Sequence, residues 1–183
     1  MTSAARGAFH LGPLRVVAAP ADRPPFAVDA LVVEDDTYGV LGADPEFREP
    51  TEHPLRILTA VHEMVPARPG TIRLAPGDPP RLLAVVHDLS LDPTWKEEWV
   101  AQALDGALLE SERRGLRSLG LPVLGAVHGR MPAEKFLDTL VDALARRPAS
   151  TLERAWLVPP PRLVAELEHL LEQLAADDRT GPP

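Results

Sequence analysis

Apolar residues along this chain fall into two patterns: short continuous runs set between prolines and acidic turns, and longer stretches at helical spacing. LRVVAA (14–19) and VDALVV (28–33) belong to the first kind and predict strands buried on both faces. Residues 34–52, EDDTYGVLGADPEFREPTE, lose all periodicity and carry Gly39, Gly42, Pro45 and Pro50. They predict a long surface loop with one helical turn, of a length that often serves function. HPLRILTAVHEMV (53–65) returns to helical spacing, with Pro54 in its first turn.

TIRLAPGDPPRLLAVVHDLS (71–90) holds two β-like runs around APGDPP, which predicts an antiparallel hairpin with a fully buried second arm. Asp92 offers an N-cap before Pro93, and Trp95, Trp99, Val100, Ala103, Leu104, Ala107 and Leu108 make one apolar stripe that stops at Gly115. A long helix over about 93–114 follows from that spacing. Next come a strand, RSLGLPVL (117–124), a glycine-bearing loop (125–131), and a helix over 132–147 with Phe136, Leu137, Leu140, Val141 and Leu144 on one face. LERAWLV (152–158) predicts a last strand. A C-terminal helix over 161–178 carries Leu163, Val164, Leu167, Leu170, Leu171 and Leu174 on one side.

Strands alternating with helices predict an α/β fold, three layers α/β/α around a mixed, mostly parallel sheet. No internal repeat or domain-scale linker interrupts it, so residues 1–183 read as a single domain with its core at about 14–158 and a frayed tail, DDRTGPP.

Composition refines this picture in three places. Aromatic residues are only 4% of the chain, so the core must rest on Leu, Val and Ala; 21 prolines, many in pairs, mark stiff element boundaries. No cysteine is present, which excludes disulfides, thiolate zinc sites and cysteine nucleophiles. A formal net charge of −8 argues against general nucleic-acid binding. With no leader-like start and no apolar stretch near the ~20 residues of a membrane span, a soluble cytoplasmic protein without membrane contact is expected.

Ligands of α/β sheets bind beyond the carboxyl ends of the strands, which here directs attention to the loops at 20–27, 34–52 and 125–131. Backbone N–H groups of a glycine loop before a helix favour an anion, although a strand-to-helix turn also needs glycine for its geometry alone. Glu34, Asp35 and Asp36 read either as a cation site or general base, or as a solvated turn. Asp22 either accepts hydrogen bonds from a base or ribose, or holds its own turn. The six histidines show no metal-ligand spacing, so no metal is expected. His128 stands apart because it lies inside the glycine loop, whereas His87, ending a buried strand, reads as a hydrogen-bonded core residue. Serine-hydrolase, Walker-type and dinucleotide fingerprints are absent.

VDALVV with its following loop, the hairpin, the long helix ending in SERRGLRSLGLP, and LGAVHGRMP before a helix together resemble a macro domain. That family is a three-layer α/β/α module, many members of which bind ADP-ribose or remove it from proteins. The resemblance covers about 14–158, most clearly 71–145. It implies Asp22 on the base, the backbone of Gly125, Ala126, Val127, His128 and Gly129 on phosphate, and Asp36 with the loop carrying Tyr38 and Gly42 at the distal sugar.

The chain also departs from the family pattern. Asp36 stands where a substrate-orienting asparagine is expected, Val33 replaces the first asparagine, and the glycine run is reduced to Gly39 and Gly42. Ala126 replaces a threonine and Val127 a glycine, and a β-branched residue resists φ > 0. A carboxylate at 36 cannot donate and would repel a diphosphate. These departures disfavour ADP-ribosyl hydrolysis. The expectation is a binding module for ADP-ribose or a related nucleotide metabolite, with no catalytic residue, metal or cofactor assigned. Two alternatives stand beside it. One is an interaction module that kept the fold without the ligand, its leucine-rich C-terminal helix packing on a partner or, as a homodimer, on a second copy. The other is a phosphoester-processing enzyme using His128, with Glu34, Asp35 or Asp36 on a metal.

Overall fold

A computed structural model of the chain describes residues 8–42, 65–147 and 151–180, with side chains as far as 176. The helix expected at 53–65 and most of the 34–52 loop lie outside the described residues. In chain order the elements are β1 (Phe9–Leu11), β2 (Leu14–Ala18), β3 (Ala30–Asp36), β4 (Ile72–Ala75), β5 (Arg81–His87), α1 (Glu97–Arg114), β6 (Ser118–Pro122), α2 (Ala133–Ala145), β7 (Arg154–Val158), a 3-10 turn at Pro161–Leu163, and α3 (Val164–Thr180).

The seven strands form one mixed sheet in the order β1-β2-β7-β6-β3-β5-β4. The five inner strands run parallel, and the two edge strands, β1 and β4, pair antiparallel with their neighbours. Continuous apolar runs such as LLAVVH suit the inner positions of a parallel sheet. α1 packs on β5 and β4, α2 lies against α1, and α3 lies against α2 and over β1 and β2. Leucine, valine and alanine supply most of the core, with Phe136 its largest fully buried side chain. No described helix is long and apolar enough to cross a membrane.

Several boundaries move for identifiable reasons. β1 is too short to show a period, and it forms because Gly12, at φ 57°, lets the chain turn back so that Leu11 opposes Leu14. α1 begins at Glu97, not 93. Thr94 uses its carbonyl to accept from the Asp88 N–H at 2.7 Å and Trp95 bridges to His87, which ties 94–95 to the end of β5, keeps 93–96 out of the helix and makes Lys96, not Asp92, the N-cap. The stop at Gly115 is a Schellman motif: Gly115 at φ 62° donates to the Glu112 carbonyl and Leu116 to the Ser111 carbonyl. In α2, Val141 faces outward while Ala143 takes its place in the core. The leucine stripe of α3 is used on its own core, since Leu167 and Leu171 are fully buried and Leu163, Leu170 and Leu174 pack against that cluster.

The first residues of β3 are fixed from β6. One Asp29 carboxylate oxygen, Oδ2, accepts from the backbone N–H groups of Arg117 and Ser118, both at 2.8 Å. The Arg117 N–H, helped by Ser118 and Arg154 against the opposing effect of burial, holds this carboxyl below its ordinary 3.8. A lowered folded-state value stabilises the fold above the unfolded value and is lost as pH falls through the folded one. Asp29→Asn should therefore cost roughly 1 kcal/mol between pH 5 and 7, with the gap to the parent closing below about pH 4. Urea midpoints measured across that range check it.

Candidate functional site

The parallel strands bring the carboxyl ends of β2, β7, β6, β3 and β5 to one edge of the sheet, with β3 flanked by β6 and β5. Glu34, Asp35 and Asp36 are not a solvated turn after β3 but its last three residues, and all three are buried. Strand alternation turns Glu34 and Asp36 to one face and Asp35 to the other, so the three cannot converge on one cation. Among the described residues no group of three or more His, Asp or Glu side chains could hold a metal ion.

A register shift in the β3–β5 ladder sets Asp35 opposite Val85 but Asp36 opposite His87. The extra residue on β5 brings His87 onto the face that carries Glu34 and Asp36. His87 Nε2 lies 2.5 Å from Glu34 Oε1, and its Nδ1 lies 2.9 Å from Thr94 Oγ1. Both rings of the pair His87 and His128 meet edge-on, 6.1 Å apart between centroids. His87 is thus a buried, hydrogen-bonded residue. The His128 side chain is exposed.

The loop after β6 closes around the same carboxylate. Glu34 Oε2 accepts from the N–H groups of Gly125 at 2.9 Å and Val127 at 3.4 Å, and Oε1 accepts from the His128 N–H at 2.9 Å. Successive backbone donors turned toward one point make an anion nest, and here the anion comes from the protein. Carbonyl groups of the loop face the other way. Arg162, in the 3-10 turn before α3, donates through Nη2 to the carbonyls of Ala126 and Gly129. The turn is braced internally by Ala126 N–H to the Val123 carbonyl and Met131 N–H to the Gly125 carbonyl, both 3.0 Å. Gly125, at φ 77°, is the residue of this loop with positive φ; among the described residues only glycines have one. Val127 is accommodated because the curvature falls on Gly125, two residues earlier.

Asp36 builds the other wall. Its Oδ1 accepts from Tyr38 N–H at 2.7 Å, and its Oδ2 accepts from Val40 and Leu41 N–H at 2.8 and 2.7 Å. Asp35 accepts from Gly42 N–H at 2.8 Å and pairs with Arg73 Nη2. A Cβ on Gly42 would sit 2.7 Å from the Asp35 Cγ, so glycine is required where this loop folds back on the strand. The Tyr38 ring is left exposed. Asp22 stands apart, in the loop after β2, exposed and 3.8 Å from the Arg23 guanidinium.

No protein-family model matches this sequence, and no curated protein matches it. Solved structures do. The Oceanobacillus iheyensis macrodomain with ADP is similar at a TM-score of 0.65 and 15% identity, over 93% of this chain and 97% of that one. A mutant of the same macrodomain with ADPR gives 0.66 and 15%, over 92% and 97%. The fold is that of a macrodomain. The Trypanosoma brucei macrodomain in complex with ADP agrees less closely, at a TM-score of 0.58 and 15% identity over 85% of this chain and 68% of that one.

Within this macrodomain fold the structure gathers Glu34, His87, His128 and the 125–129 loop into one cluster, with Asp36 and Tyr38 beside it, while Gly42 folds against Asp35. Asp22 lies on the far side of β7 and β6. Arg162 was not singled out by sequence. The signal that could have found it is a cation directly after Pro159-Pro160-Pro161, at a helix start beyond the carboxyl end of a strand.

Proposed function

We propose that this protein is a binding module for ADP-ribose or a related nucleotide metabolite, without ADP-ribosyl hydrolase activity. The reading is carried by the macrodomain fold it shares with proteins crystallised with ADP and ADPR, together with the loops at the carboxyl edge of its sheet. From β2 to β3 that edge spans three strand spacings, roughly 14 Å, the scale of an extended nucleotide. Asp22 accepts from the base at one end, the 125–129 loop lies in the middle, and the loop bearing Tyr38 and Gly42 meets the distal sugar at the other. Asp36 shapes that last loop. Its carboxylate is fully buried and turned to the backbone donors of that loop, which leaves it poorly placed to orient a water for hydrolysis.

Calorimetric titration with ADP-ribose up to millimolar concentration should give saturable heat and a rise in melting temperature, both lost in Asp22→Ala. Absence of heat and of a thermal shift in the parent protein would overturn the reading. One observation favours a second reading, an interaction module that kept the fold without the ligand: the anion nest of the loop is already filled by Glu34.

A further inference from the structure

We infer that Glu34 is the resident anion of the 125–129 loop, an internal competitor that a ligand phosphate must displace before it can use those backbone donors. The inference deepens the nucleotide-binding reading and rests on it only for the identity of the ligand.

A buried glutamate on an inner strand of the sheet is costly unless its charge is met by donors. Here the loop N–H groups of Gly125, Val127 and His128 meet it from one side and His87 Nε2 from the other. Glu34 is 2% exposed, and Val32 and Asp36 on the same strand face are also buried, so its charge is met mainly by protein donors. The loop is held in the same sense from outside: with Ala126 and Gly129 carbonyls tied to Arg162, the intervening N–H groups point toward β3. A carboxylate and a phosphate offer the same pair of acceptor oxygens to such a nest, and their like charges forbid joint occupancy. Affinity for a phosphate-bearing ligand is then lowered by the fraction of molecules in which Glu34 has left the nest.

The chain's own Glu34 therefore sets specificity. Ligands that need the loop as a phosphate cradle are penalised; ligands that touch the rim without an anion there are not. Neutralising or removing the side chain should open the cradle.

The test compares the full-length parent with Glu34→Ala and Glu34→Gln, using inorganic phosphate and ADP-ribose as separate probes. Glu34→Ala should bind ADP-ribose at least about tenfold more tightly than the parent, equivalent to ~1.4 kcal/mol. Inorganic phosphate should raise the melting temperature of both variants and not that of the parent. Glu34→Gln keeps the size and one acceptor of the side chain, so it decides the matter if Glu34→Ala does not fold. Phosphate without effect on the folded variants, or ADP-ribose bound equally by parent and variants, overturns the inference. Phosphate stabilisation of the variants with no ADP-ribose heat in any of the three supports Glu34 as resident anion while removing the nucleotide reading.

Discussion

Asp36→Ala is expected to destabilise the protein by about 3 kcal/mol. The carboxylate is fully buried and accepts three short backbone hydrogen bonds, from Tyr38, Val40 and Leu41. Hydrogen bonds to a charged group contribute roughly 1.5–3 kcal/mol each, and part of the loss is recovered because the donors are only partly buried and can turn to water. For a chain of this size the loss corresponds to a fall in melting temperature of roughly 6–12 °C. Asn at 36 keeps one acceptor oxygen and should recover about half. Tyr38 is the only tyrosine in the chain, so its ring resonances in an NMR spectrum report the loop directly, and they should move to free-tyrosine positions in Asp36→Ala before global unfolding. A loss below about 0.5 kcal/mol would show that the loop is held by something other than this carboxylate.

The same residues explain what the sequence could and could not reveal. The parallel inner strands were legible because buried runs such as LRVVAA and LLAVVH need no partner to be recognised. α1 was legible through its stripe and the glycine that ends it. The acidic stretch was not. Carboxylates are rarely buried, so three in a row after an apolar run read as the end of a strand and the start of solvent. Their partners are invisible locally: the donors for Glu34 come from residues 91 to 94 positions away and from His87, 53 away. Only the strand order, which sets β3 between β5 and β6, brings them together. The loop at 125–131 reads, from its glycines and its place before a helix, as either an anion site or a plain turn. What it holds in this structure is Glu34, which no local pattern in LGAVHGRMP shows.

The second large effect is expected at Gly129, where the constraint is contact and not conformation. A Cβ there would overlap the Gly125 carbonyl oxygen and lie 2.6 Å from the Trp95 ring. The obstruction is backbone on one side and a half-buried indole on the other, neither of which is the free end of a flexible side chain. Gly129→Ala must therefore push the two limbs of the turn apart, at a cost of about 2–3 kcal/mol, in the range for overpacking a close contact. The Gly125 carbonyl also holds the Met131 N–H, so moving it loosens the turn whose N–H groups surround Glu34. Hydrogen exchange separates this local opening from a general loss of stability. Protection of the Gly125 and His128 amides should fall by more than that of the α1 amides. Equal losses in both places would mean that the substitution acts through global stability and that the nest does not depend on the packing of Gly129 against Gly125.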